Sequence, residues 1–224
     1  MERLILSWSG GKDSAMSLRE LRRYHNYETT GLLTTVTEGY NRVSMHGVRA
    51  SLVAQQASAV GLPLVKMSIP RGANNERYES EMREVLARAR EDGVSGVAFG
   101  DVFLEDIRRY REEKLSQVGM KAIFPIWKRN TRDLTMEFIN QGFRAVLTCV
   151  DSRRLDRSFA GRSFDKTLLA DLPSSVDPSG ENGEFHTFVH AGPIFSEPIL
   201  VRPGEIVPRE NRFWYCDLIP DTRK

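Results

Sequence analysis

The sequence predicts an α/β fold: a parallel, doubly wound sheet with helices on both faces, followed by a small C-terminal α+β lobe. Three observations lead there. Short apolar or β-branched runs have the length and composition of buried strands. Charged amphipathic stretches alternate with those runs, as right-handed βαβ units require. Beyond Val150 the alternation stops, and Pro and Gly interrupt the strand-like segments.

The elements follow in order. Leu4-Ile5-Leu6 is the first strand, and Ser9-Gly10-Gly11 breaks it with residues that accept positive φ. From Asp13 the spacing turns helical, with Ala15, Leu18 and Leu21 on one face. Thr29–Val36 is the second strand, and a helix from Val48 ends at Gly61 as its C′ residue. Leu64–Ile69 and Val94–Phe99 are the third and fourth strands, separated by the helix Glu76–Arg90. Leu104–Val118 is a further charged helix, and its Arg-rich stretch Arg108–Lys114 reads as a solvated face before a protein or RNA contact. Ala122–Trp127 is a fifth strand, although Pro125 suits an edge or an end. A helix capped by Thr131 closes at Gly142, and Phe143–Val150 is expected as a sixth strand of the same sheet. In the remainder, Ser163 is the expected cap of a helix. Pro173–Gly183 reads as a mobile turn-rich loop, and strands are expected over Phe185–Val189, Ile199–Arg202 and Val207–Asp217.

Composition narrows the function classes. Lys plus Arg (32) nearly balances Asp plus Glu (30), so no global field argues for nucleic acid or a membrane surface. Cys149 and Cys216 are far apart and form no C-x-x-C, which weakens metal-cluster and thiol-relay readings and fits a reducing compartment. No signal-peptide core or membrane-length apolar run is present, so a soluble, cytoplasmic protein is expected.

Two constellations carry chemistry. Ser9-Gly10-Gly11-Lys12-Asp13-Ser14 lies between a strand and a helix, where amide groups and the helix dipole favour an anion, most often phosphate. Lys12 adds a cation, Ser9 and Ser14 add hydroxyls, and Asp13 can cap the helix or hold a magnesium ion. The loop is not a Walker loop, because Asp13 follows Lys12, and it lacks the third glycine of a dinucleotide fingerprint. The second constellation, Glu181-Asn182-Gly183-Glu184-Phe185-His186-Thr187, reads by local chemistry as a tight turn with solvated carboxylates or as a metal site with its other ligands unseen. His46-Gly47, Gly100-Asp101 and Cys149–Asp151 fall at expected strand ends, where α/β sheets bind ligands.

SGGKDS matches the S-G-G-x-D-S loop of the PP-loop ATP pyrophosphatases, and over nearly its whole length the chain resembles one branch of them, the diphthine–ammonia ligase family. The resemblance also rests on His46-Gly47, Gly100-Asp101, Arg108-Arg109-Tyr110-Arg111-Glu112, Pro125-Ile126-Trp127, Leu155-Asp156, Gly161-Arg162 and Gly180–Thr187. It implies a Rossmann-like ATP-binding domain over residues 1–150 and an acceptor-binding lobe over 151–224. It further implies a ligase that adenylates a carboxylate, lets ammonia displace AMP, and releases pyrophosphate. The family acceptor is diphthine, a modified histidine of translation elongation factor two. On that resemblance, Ser9–Ser14 would cradle pyrophosphate, with Lys12 and magnesium near Asp13 at the α phosphate. Adenine would lie near Thr35, Val36, His46 and Gly47, with Gly100 and Asp101 completing the ATP site, although His46 also suits an ordinary helix start. Glu181, Asn182, Glu184 and His186 would hold ammonium, take its proton or orient the acceptor, under closure of Pro173–Gly183. The competing readings are a PP-loop enzyme that modifies tRNA or another acceptor, and an ATP-binding regulator without turnover.

Overall fold

In the computed structural model, which describes residues 1–221, the chain divides into two compact units. One comprises residues 1–9, 13–44 and 62–128, and the other residues 10–12, 45–61 and the chain from 129 onward. The elements are, in order, β1 (Glu2–Ser7), α1 (Lys12–Arg23), β2 (Tyr27–Thr37), β3 (Arg42–Val43), α2 (Ala50–Val60), β4 (Leu64–Ile69), α3 (Asn75–Glu91) and β5 (Gly96–Ala98). There follow α4 (Glu105–Gln117), β6 (Lys121–Ile123), α5 (Thr131–Asn140), β7 (Arg144–Asp151), α6 (Lys166–Asp171), β8 (Phe185–Ala191), β9 (Val201–Arg209) and β10 (Phe213–Pro220).

The first unit holds a sheet of mostly parallel strands flanked by helices. Its parallel strands run β4-β2-β1-β5-β6, and the two-residue β3 folds back on the end of β2. Leu4, Ile5 and Leu6 are all at most 4% exposed, so β1 is covered on both faces. Ile5, Leu33, Met67 and Val97 meet Leu86 of α3 and Leu115 of α4 in one apolar cluster. Each such side chain contributes roughly 1.5–3 kcal/mol on burial, which makes this the stable platform for the segments at its edge. The strand order steps outward from β1 to β2 and β4, then returns to β5 on the other side of β1. That reversal is the switch point where α/β sheets open a crevice, and the segments leaving it are Ser9–Ser14 and Phe99–Leu104.

The second unit carries an antiparallel sheet in the order β8-β7-β10-β9. Here the structure corrects the expectation that Phe143–Val150 joins the parallel sheet. β7 pairs antiparallel with β8 and β10, Val146 opposite Phe188 and Trp214 opposite Val150. A continuous apolar run shows that a strand is buried but carries no direction for its partners, and β7 is buried by its own lobe. Pro125 likewise ends the preceding strand at Ile123, so Phe124–Trp127 is a turn. The caps also shift: Asn130 and Asp165, not Thr131 and Ser163, accept from the amides of Asp133 and Leu168. Gly61, at φ 76°, closes α2 as expected.

Candidate active site

In the second unit the loop residues Gly10–Lys12 are seated on β8, the strand that ends the Glu181–Thr187 constellation. The Val189 amide donates to the Gly10 carbonyl at 2.9 Å. The Lys12 amide donates to the Thr187 hydroxyl at 3.1 Å. Gln56, fully buried on α2, clamps the pair by donating to the carbonyls of Gly10 (3.0 Å) and Val189 (2.6 Å). Gly10 has φ 80°, and a Cβ there would stand 2.7 Å from Gln56 Oε1, so glycine is required on both grounds. The Lys12 side chain is 5% exposed, with its ammonium 5.8 Å from the centroid of Phe185. The two constellations therefore meet through a buried cation and a shared strand.

His186, on the same strand, faces His46 with ring centroids 4.4 Å apart. Both rings are half-buried. Burial, assisted by the Lys12 charge, pushes the His186 imidazole down to about 4. Burial, then His186 and Lys12, pushes His46 well below its ordinary range. Both are therefore neutral near pH 7, and His46 Nδ1 has no hydrogen-bond partner among the described residues. Each neutral imidazole keeps a ring-nitrogen lone pair that can accept a hydrogen bond, while the adjacent Lys12 ammonium disfavours the imidazolium form. Gly47, at φ 68°, lies so tightly under Tyr215 that a Cβ would come within 2.4 Å of the ring.

Of the two carboxylates of the second constellation, Glu184 is not solvated. Glu184 is 3% exposed. Its Oε1 accepts from the Asp177 amide (3.1 Å) and Asn182 Nδ2 (3.2 Å), and its Oε2 accepts from the Asn182 amide (3.0 Å). Asp177 works from the other side: Oδ1 accepts from the Ser179 amide and, at 3.4 Å, from that of Glu181, while Oδ2 accepts from Thr131. Within the stretch Pro173–Gly183, the turn from Asp177 to Asn182 is held by these two carboxylates. Asn182 is exposed and Glu181 half-buried. Neither Asp177 nor Gln56 was singled out from the sequence. Asp177 had a legible signal, since Asp-Pro-Ser-Gly is an Asx-type turn, whereas Gln56 is one polar residue in an apolar helix.

Other residues singled out from the sequence lie in the first unit. The Ser9 and Ser14 hydroxyls are 3.4 Å apart. Gly100 abuts the loop, and a Cβ there would lie 2.9 Å from the Asp13 carbonyl carbon. Burial raises the Asp101 carboxyl, opposed by Arg111 and reinforced by the nearby Asp13. Arg111 grips Asp101 by two nitrogens, at 3.2 and 3.1 Å. Two neighbouring carboxylates and two hydroxyls are oxygen donors of the kind a magnesium ion shares with phosphates. Among the described residues, no group of three or more His, Cys, Asp or Glu forms a metal cage. Thr35 and Val36 lie near the end of β2, Val36 with its side chain buried, whereas His46 and Gly47 belong to the second unit. Cys149–Asp151 lies on β7, with Cys149 opposite His186 and Val150 opposite Phe185. Burial pushes the Cys149 thiol up to about 12, and Arg153 and Arg212 both grip Asp151.

The model of the diphthamide synthase N-terminal domain matches residues 2–122, and that of the diphthamide synthase C-terminal domain matches residues 130–218. The human protein named diphthine–ammonia ligase is 25% identical over 222 residues, covering 89% of this chain and 82% of its own. The bovine protein of that name is 28% identical with the same coverage. A longer fission-yeast protein of that name is 24% identical over 91% of this chain and 36% of its own. A solved structure, the U34-tRNA thiolase NcsA of Methanococcus maripaludis, aligns with 62% of this chain and 56% of its own at 14% identity. Its TM-score of 0.38 is too low to bear on fold or function.

Proposed function

Because the chain belongs to the diphthamide synthase family, we propose that it is an ATP-dependent ligase that adenylates a carboxylate and lets ammonia displace AMP, with pyrophosphate as the other product. The observation that supports this most is the docking of Gly10–Lys12 on β8, which joins an anion-binding loop to a strand bearing a neutral histidine. A carboxylate is a poor electrophile until activated, and attack at the α phosphate needs its charge offset. Lys12 is the cation for that task, with Ser9, Gly10, Gly11 and Ser14 as donors to the departing pyrophosphate. Magnesium, when bound, would be held by Asp13 and phosphate oxygens and would supply Lewis-acid charge neutralisation. Thr35, Val36, Gly100 and Asp101 are proposed for the remainder of the nucleotide.

Ammonia is a nucleophile only as the free base, so ammonium must lose a proton. His186 is the proposed acceptor of the proton that the nitrogen sheds as its bond to the activated carbonyl forms, with His46 as its neighbour. Glu184 is assigned to holding the Asp177–Asn182 turn, since its oxygens already receive three hydrogen bonds. Glu181 and Asn182 are then the polar residues of that turn proposed to face the acceptor. On this reading residues 1–150 serve mainly the nucleotide and 151–224 mainly the acceptor. The acceptor proposed is diphthine on elongation factor two, and the place of action the cytoplasm. No described helix is long and apolar enough to cross a membrane, and both cysteines are free. Their burial disfavours a sulfur-transfer reaction on tRNA. The test is product identity, from α-labelled ATP, magnesium, ammonium and diphthine-bearing elongation factor two. AMP together with amide on the factor is expected. ADP, or ATP bound without turnover, would overturn the proposal.

A further inference from the structure

Two stretches that the reading above leaves without a task, Arg108–Glu112 and Pro125–Trp127, come together in the first unit. Arg108 is in the first turn of α4, which follows β5, while Phe124 and Trp127 follow β6. β5 and β6 pair in parallel, so both stretches stand at the carboxyl edge of the sheet, where ligands of such folds gather. The Arg108 guanidinium carbon is 5.2 Å from the centroid of Phe124 and 4.8 Å from that of Trp127, in the angle between two rings tilted by 56°. Arg108 Nε donates to Glu112 at 2.7 Å. The guanidinium plane is thus fixed by two aromatic faces and one carboxylate.

What remains of Arg108 is its pair of terminal nitrogens, which make no hydrogen bond among the described residues on a side chain that is 34% exposed. The indole Nε1 of Trp127 is a second donor, shielded and likewise without a partner. Two other cations of the helix behave otherwise. Arg109 is 77% exposed, and Lys114 is tied to Glu79. Arg108 is therefore set apart from the solvated face that the composition suggested. It is also connected to the loop: Phe124 stacks on Phe99, Arg111 lies 4.0 Å over Phe99 and grips Asp101, and Gly100 abuts Asp13.

We propose that Arg108 is the clamp for the acceptor carboxylate, its terminal N–H pair receiving the two oxygens while Phe124 and Trp127 act as positioning residues. A planar fork held in place suits a carboxylate in the bidentate mode, and pre-ordering removes most of the rotamer cost of binding. The identity of that carboxylate rests on the ligase reading; the clamp itself does not. Because the contact is made before activation, its loss raises KM for the acceptor more than it lowers kcat.

The experiment uses diphthine-bearing elongation factor two as the probe, with binding measured beside a non-hydrolysable ATP analogue and steady-state rates measured with ATP and ammonium. Arg108→Gln is expected to weaken binding of the factor about tenfold or more, with nucleotide affinity unchanged. Arg108→Lys, which keeps charge but not the fork, should recover only part of the loss, and Trp127→Phe should stay nearer to wild type than Trp127→Ala. Unchanged acceptor affinity in Arg108→Gln would overturn the clamp, as would lost nucleotide affinity in its place. If wild type forms amide while Arg108→Gln keeps its KM, the clamp fails and the ligase reading stands. If wild type binds the factor through Arg108 yet forms no amide, the ligase reading fails and the clamp stands. Should Arg108→Gln not fold, Arg108→Lys and Trp127→Ala give the same readout.

Discussion

The loops Ser9–Ser14 and Asp177–Glu184 are both short, polar and glycine-containing, but they use their polar groups in opposite ways. In the first, Gly10 and Lys12 fix the main chain through backbone bonds to β8 and a clamp from Gln56. Its stability comes from outside, so a run of amides, hydroxyls and one ammonium is gathered where an anion can meet it. In the second, the acidic side chains turn inward, and Glu184 and Asp177 receive the amides of their own turn. An acidic residue in a chemically suggestive motif is therefore not automatically an acid or a base. Here the proton-handling group we propose is the histidine two residues further on.

That contrast can be broken at several points. The largest effect is expected from Lys12→Met, which keeps the buried stem and removes the charge. AMP formation should fall about 10²–10³-fold while the melting transition stays cooperative. Retained activity would mean that the loop's cation is dispensable. Glu184→Gln places an amide donor against amide donors and should lower stability by roughly 1–3 kcal/mol in denaturant unfolding. A large activity loss at unchanged stability would instead make Glu184 a proton-transfer group. Gly10→Ala should cost about 1–2 kcal/mol from its left-handed backbone, with further strain against Gln56 Oε1. Stability equal to wild type would show that the clamp yields.

The smallest effect concerns pH. The folded His186 titrates at about 4 against an ordinary 6.5, so between those values the unfolded chain binds the extra proton. Its neutral form thus contributes stability that is fully present above about 6.5 and is lost as pH falls towards about 4. The melting temperature of wild type should therefore drop more steeply across that window than that of His186→Asn. Parallel curves would place His186 in an environment like water.

Much of this was legible in the residues, and the exceptions have physical causes. The strand–glycine–helix start, the parallel alternation and the Gly61 cap follow from local rules, because apolar spacing and positive φ are local properties. The pairing of β7 was not, since a buried strand shows the same apolar run whichever sheet it joins. The meeting of Lys12 with Thr187, 175 positions apart, depends on topology that no spacing encodes. The burial of Glu184 escaped because carboxylates beside Asn-Gly usually face water. The separation of Arg108 from its charged neighbours needed Trp127, which no helical periodicity brings to it.

The central claim is a division of labour on one shared strand: the Lys12 loop activates the carboxylate, and His186 prepares ammonia. It is tested most directly by following pyrophosphate release and incorporation of isotopically labelled ammonium together in a single turnover of His186→Asn. The account predicts pyrophosphate release close to that of wild type while labelled amide nearly vanishes. Equal loss of both products, or amide formed at the wild-type rate, would contradict it.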